Sequence, residues 1–162
     1  KIGNFKIEIL KAYTPIFFNN YRKLLCIFSA FQLIKILTAE SQKNIKIYSL
    51  IENFYILIKK ENWIRNYIFW ELELLKIIGY DLELKNLVKK ELINNEFKYL
   101  VKSTKENKIV PNFLIDNNLD FLDEEILFDG LKLVGDYLEK SILRPNNINY
   151  PLSRLRFLNT FK

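Results

Sequence analysis

From Tyr21 to Leu37 apolar residues recur at helical spacing on nearly every side, and past Leu24 only Ser29, Gln32 and Lys35 interrupt them. A helix that is apolar nearly all round has to be wrapped by other elements, because each Å² of apolar surface left in water forgoes about 25 cal/mol. This segment therefore demands a helical body built around it. It is too short and too interrupted to cross a bilayer core of about 30 Å, and no charged leader with an apolar run precedes it. A cytoplasmic protein with no membrane partner is expected.

The neighbouring segments read the same way. Ile45 to Ile58 carries Tyr48, Ile51, Phe54, Tyr55 and Ile58 at three- and four-residue spacing, which predicts a second helix with these as core positions. A third is predicted over Trp63–Ile78, where Asn62, Arg65, Asn66, Glu73 and Lys76 fall within an arc of roughly 100°. Asn62 suits its N-cap and Gly79 its C-terminal stop. Phe97, Tyr99 and Val101 alternate with Lys98, Leu100 and Lys102, and a turn at 104–107 precedes Ile109 and Val110, the pattern of a small β-hairpin. An amphipathic helix follows over Glu124–Leu143, ended by Pro145, and Pro151 opens a short last helix bearing Leu152, Leu155, Phe157 and Leu158. Residues 2–10 alternate Ile2, Phe5, Ile7 and Ile9 with Asn4, Lys6 and Glu8, as in the closing strand of a sheet whose other strands lie upstream. A first residue that is Lys1 rather than Met agrees with a piece of a longer protein. The expected fold class is mainly α, a helical bundle with one small β-hairpin.

Composition narrows the chemistry. The 162 residues include no His and one Cys, which removes the commonest general base, the Ser-His and Cys-His nucleophile pairs, and any thiolate zinc site. With 4 Gly and no glycine-rich phosphate motif, nucleotide-dependent chemistry has no cradle. No enzyme, no metal and no cofactor are expected. The net charge of +6 favours polyanionic partners and is unevenly spread, about +7 over residues 1–66, −5 over 67–142 and +4 over 143–162.

Arg22 and Lys23 open the first long helix, Lys59 and Lys60 close the second, and Arg65 lies in the first turn of the third. Helices packed antiparallel through short loops bring these together as a basic patch flanked by Trp63 and Tyr67, suited to phosphates with rings for base stacking. The competing reading is a set of solvated helix ends. Glu71 lies about 180° from the polar arc of its helix, among Ile64, Ile68, Leu72, Leu75 and Ile78. A carboxylate there is either a catalytic acid or a buried structural charge. No converging acid or base accompanies it, so the structural reading leads; Arg144, Arg154 and Arg156 are candidate partners, with a buried Glu71–Arg154 pair expected. Cys26, amid Leu24, Leu25, Ile27 and Phe28, reads as a small buried hydrophobe. Asp116, Asp120, Asp123, Glu124 and Glu125 match no calcium-loop spacing.

The run Trp70-Glu71-Leu72-Glu73-Leu74-Leu75-Lys76-Ile77-Ile78-Gly79-Tyr80-Asp81-Leu82 resembles the aromatic-Glu-x-x-Leu-Leu-x-x-x-Gly-aromatic helix of the bacterial recombination mediator family RecO. Pro111-Asn112-Phe113-Leu114, Gly130-Leu131-Lys132-Leu133 through Leu138-Glu139, and Tyr150-Pro151-Leu152-Ser153-Arg154 resemble, in the same order, the closing elements of alphaproteobacterial members. The resemblance implies a helical domain over residues 16–162, preceded by the last strand and exit, residues 1–15, of an incomplete N-terminal OB-fold barrel. It also implies binding of single- and double-stranded DNA, annealing of complementary strands and, with RecR, loading of the RecA recombinase onto strands coated by single-stranded DNA-binding protein. The acidic, apolar-ended tail of that protein is an implied partner of the helical domain. Many members carry a four-Cys zinc finger after the Gly-aromatic motif, whereas residues 86–110 contain no Cys here. A different class stays open: a non-enzymatic helical adaptor whose basic ends bind an acidic protein partner and never touch nucleic acid.

Overall fold

The computed structural model describes residues 8, 12–40, 42–93, 96–102, 107–116 and 123–162. Among them the elements run α1 (Tyr21–Leu37), α2 (Ile45–Leu57), α3 (Trp63–Ile77), the single turn α4 (Leu84–Leu87), β1 (Val88–Ile93), β2 (Glu96–Lys102), β3 (Asn107–Val110), α5 (Glu124–Leu138) and α6 (Leu152–Leu158). Of the strand expected over residues 2–10, all but Glu8 lies outside the described residues, as does most of the turn expected at 104–107.

Local chemistry sets the helix ends. Asn20 and Asn44 cap α1 and α2, their side-chain oxygens accepting from Lys23 N at 3.0 Å and Ile47 N at 3.1 Å. Asn62 precedes α3 but caps differently from expectation: its oxygen accepts from the Asn66 side chain at 2.7 Å, not from a helix amide. At the far end Gly79 takes φ +91° and donates to Lys76 O at 3.1 Å, while Tyr80 N–H reaches Leu75 O at 2.8 Å. That paired closure requires a left-handed residue, which is why glycine stands there.

α3 is the axle of the bundle. It packs on α2 and α5, while α1 packs on α6. Tyr67, Ile68 and Leu74 are fully buried, joined by Cys26 and Ala30 of α1, Ile58 after α2, Leu131 of α5 and Phe157 of α6. The rings interlock, Phe54 with Trp70 at 5.2 Å and Tyr67 with Phe157 at 5.5 Å, and the Trp70 indole N–H donates to Leu50 O at 2.8 Å, leaving its polar edge satisfied. Tyr48, read as a core position of α2, is instead 66% exposed.

The sheet is larger than the expected hairpin. β2 pairs antiparallel with both β1 and β3, with Lys90 opposite Tyr99 and Tyr99 opposite Val110. Tyr99 and Val110 are buried, while Phe97 on the same face of β2 is exposed, and β3 packs on α5. β1 is an edge strand whose Lys89 and Lys90 are exposed, the composition that keeps an edge from pairing with other chains and also hides its strand character in sequence. The helix expected to run to Leu143 is α-helical only to Leu138. It widens into a π turn at Glu139–Leu143 and tightens into a 3-10 turn at Arg144–Asn146. The extra residue in the π turn lets adjacent Ile142 and Leu143 both face the core. Among the described residues no helix is long and apolar enough to cross a membrane.

Candidate nucleic-acid interface

Lys59 and Lys60 stand exposed on the turn between α2 and α3. Lys23, in the first turn of α1, holds its Nζ 5.7 Å from the Trp63 ring centroid and 5.9 Å from that of Phe17. The starts of α1 and α3 and the end of α2 therefore share one end of the bundle. Arg65 lies one turn along α3, its guanidinium 5.5 Å from the Phe69 centroid and its buried Nε without a hydrogen-bond partner. Among the described residues Lys23, Lys59, Lys60 and Arg65 form no ion pair; Lys59 and Lys60 are exposed, while Lys23 and Arg65 are half-buried against rings.

Arg22, beside them in sequence, is used by the fold. Its two terminal nitrogens grip Glu124 at 2.6 and 3.0 Å, its Nε donates to Thr160 Oγ1 at 3.1 Å, Nη2 also reaches Thr160 O at 3.0 Å, and the group stacks 4.0 Å from the Phe161 centroid. The Arg22 hydrogen bond holds the Glu124 carboxyl below its ordinary range. Of the acidic residues around it, Asp116 accepts from the Tyr99 hydroxyl at 2.7 Å, and Asp120 lies outside the described residues.

Trp63 and Tyr67, read as stacking surfaces beside the patch, do not serve. Trp63 is 9% exposed; Tyr67 is fully buried, with its hydroxyl 3.1 Å from Ser29 Oγ. Tyr67 lies about 200° around the helix from Arg65, so it faces the core when the arginine faces water. The rings that are exposed here are Phe18 and Tyr21.

Behind this end, Arg154 of α6 enters the core. Its Nη1 donates to Glu71 Oε1, its Nε to the Tyr150 hydroxyl at 2.8 Å and its Nη2 to Leu131 O at 3.1 Å. Both charged groups are buried. Burial lowers the affinity of Arg154 for its proton, but the Glu71 carboxylate, together with Tyr150 and Tyr67, raises it above the ordinary value. Burial, then the same carboxylate, pushes the Cys26 thiol and the Tyr67 phenol well up, so both stay neutral. Nothing in this cluster opens to a substrate.

On another face, α4, β3 and α5 border a groove of about 640 Å³ lined by Leu82, Leu84, Leu87, Ile109, Leu133 and Tyr137. Lys108, Lys132 and Lys140 stand on its rim; Lys108 pairs with Asp136 at 2.5 Å and Lys132 with Asp129 at 3.4 Å.

Residues 19–147 match the family model described as Recombination protein O C terminal. The chain belongs to the RecO family. The DNA repair protein RecO of Rickettsia canadensis is 33% identical over 136 residues, covering 76% of this chain and 56% of that protein. That of Rickettsia africae is 32% identical over the same share of this chain, and that of Rickettsia felis 37% identical over 83 residues. The chain spans a little over half the length of the first two relatives. No solved structure matches it significantly. RecO membership places the chain among DNA repair and recombination proteins, and the matched residues take in Lys23, Lys59, Lys60, Arg65 and Glu71. The zinc finger implied by many RecO members does not fit here. Where it would stand, β1–β3 offer no thiol or imidazole, and the one Cys, Cys26, is buried in α1.

Proposed function

We propose that this chain is the helical part of a RecO-type mediator that binds single- and double-stranded DNA, supports strand annealing and, with RecR, helps load RecA onto strands coated by single-stranded DNA-binding protein. In this reading residues 1–15 complete an OB-fold barrel, residues 16–162 form the helical domain, and no reaction is catalysed. The observation that carries it is the unpaired cluster of Lys23, Lys59, Lys60 and Arg65 at one end of a bundle of the RecO family. Cations without carboxylate partners gain most from phosphate, because binding releases the counterions condensed on the nucleic acid.

The test is a titration of the chain against labelled single-stranded DNA across a salt series. Four phosphate contacts give a slope of log affinity against log salt of about −3, and Lys59→Ala with Lys60→Ala makes it shallower by about 1.4. Affinity that ignores salt, or that survives the double substitution unchanged, refutes the assignment.

The groove beside α5 supports the second partner. Its apolar floor suits the apolar end of the acidic tail of single-stranded DNA-binding protein, and Lys140, on the rim without an ion pair among the described residues, suits the tail's carboxylates. The same groove favours the competing reading, a helical adaptor for an acidic protein. The adaptor predicts peptide binding that Leu133→Asp abolishes, and no DNA binding even at low salt.

A further inference from the structure

With Trp63 and Tyr67 buried, the cationic end of the bundle presents a different pair of rings. Phe18 and Tyr21 are 64% and 69% exposed, with Ile16 nearby at 58%. Their placement follows from the entry into α1. The 3-10 turn Thr14–Phe17 drives Phe17 into the core at 5% exposure, Phe18 closes the turn, Asn20 caps the helix, and Tyr21 is its first residue. Burying Phe17 and laying Lys23 over it sends the neighbouring rings outward. Among the described residues neither Phe18 nor Tyr21 stacks on another ring. Two such rings within four residues, at the end of the bundle that carries these cations, mark a surface completed by something else.

Charge decides what covers it. Residues 58–65 and 16–23 carry Lys23, Lys59, Lys60 and Arg65 against Glu61, with Arg22 already neutralised by Glu124. A second copy of this equally basic end would be repelled, whereas an anionic partner with flat apolar faces satisfies both features at once. We infer that Phe18 and Tyr21 form a stacking platform for the unpaired bases of single-stranded nucleic acid whose phosphates lie on Lys23, Lys59, Lys60 and Arg65. This rests on the DNA-binding reading above and adds strand selectivity to it. Cations attract phosphates of either form, but only bases freed from a duplex offer their faces to a ring.

The test compares the 162-residue chain with its Phe18→Ala/Tyr21→Ala variant, against a labelled oligonucleotide and against the blunt duplex of the same sequence. Both rings are mostly in water, so the variant folds, and its unfolding temperature stays within a few degrees. Single-strand affinity falls about tenfold or more, duplex affinity changes less than about twofold, and Tyr21→Phe, which keeps a ring, behaves as the parent. Equal losses on both forms, or none on either while Lys59→Ala/Lys60→Ala weakens both, overturn the platform and leave the cationic surface standing. A parent chain that binds neither form at low salt overturns platform and DNA-binding reading together. A parent chain that is dimeric where the variant is monomeric makes the rings a self-association surface and also overturns the platform.

Discussion

Replacing Glu71 by Ala would strand the Arg154 guanidinium in the core. The arginine is fully buried, and its remaining acceptors would be the Tyr150 hydroxyl and the Leu131 carbonyl, both neutral. The loss has two parts: the attraction to the carboxylate, and the desolvation cost of a charge that Glu71 no longer offsets. Breaking one partner of a buried pair costs about 3–5 kcal/mol. For a chain of this size each kcal/mol moves the unfolding temperature by about 2–4 °C, so a fall of about 6–20 °C is expected. Arg154→Met alone should cost a similar amount, since it leaves the Glu71 carboxylate unpaired. The Glu71→Leu/Arg154→Met double variant should lose well less than the sum of the two single losses, because both charges leave together. Thermal unfolding followed by circular dichroism, with urea midpoints as a second measure, reads all of these. Additive losses in the double variant, or a Glu71→Ala shift under about 2 °C, would show that the pair does not hold α6 to α3 and would refute the reasoning.

Gly79→Ala forces a β-carbon into the left-handed region at φ +91° with no clash to blame, so it should cost about 1–2 kcal/mol, and Gly79→Asn less, in the same unfolding assay. Gly135→Ala places its new carbon 2.7 Å from the Tyr150 hydroxyl, which must let go of Arg154; a loss of about 1–3 kcal/mol is expected, partly recovered in Tyr150→Phe. Glu124 has its folded-state pKa lowered by Arg22, so its contribution is complete above the ordinary carboxyl value near 4.5 and fades as pH falls through the lowered one. The difference in unfolding temperature between the parent and Glu124→Gln should therefore shrink as the pH falls below the ordinary carboxyl value, and a difference that does not shrink on acidification would contradict the assignment. Chelators should leave the unfolding temperature unchanged, whereas a zinc-held module would lose stability.

What the sequence shows depends on how far each feature is a local one. α1, α2 and α3 were legible to within a residue or so because their apolar residues recur at helical spacing and Gly79 stops the third. Glu71 was legible as an anomaly because helix phase alone places it opposite Arg65 and Lys76. Its partner was legible only as one of three arginines, Arg154 among them, because Arg154 lies 83 residues away and the packing of α6 is what selects it over Arg144 and Arg156. β1 was missed because Lys89, Lys90 and Glu91 mask its period, and its pairing with β2 is what makes it a strand. Trp63 and Tyr67 were placed beside the patch by sequence proximity, although the phase argument that exposes Arg65 already turns Tyr67 inward. The exposure of Phe18, Tyr21 and Tyr48 carries no local signal, since an aromatic at a helix start reads the same whether a neighbour covers it or not.

The net charge of +6 hides a division of labour among the cations. Arg22 and Arg154 each make several hydrogen bonds inside the protein, tying the C-terminal segment to α5 through Glu124 and to α3 through Glu71. Arginine suits this work, because its planar fork satisfies several acceptors at once without giving up its charge. Lys59 and Lys60 do the opposite, standing in water on a turn where no carboxylate among the described residues pairs with them. A cation already saturated by the fold has little left to give a phosphate, whereas one surrounded by water and counterions gains by exchanging them. Neutralising Arg22 should therefore show first as lost stability, and neutralising Lys59 and Lys60 first as lost affinity. The separation of the two readouts follows from geometry, although all four residues carry the same formal charge.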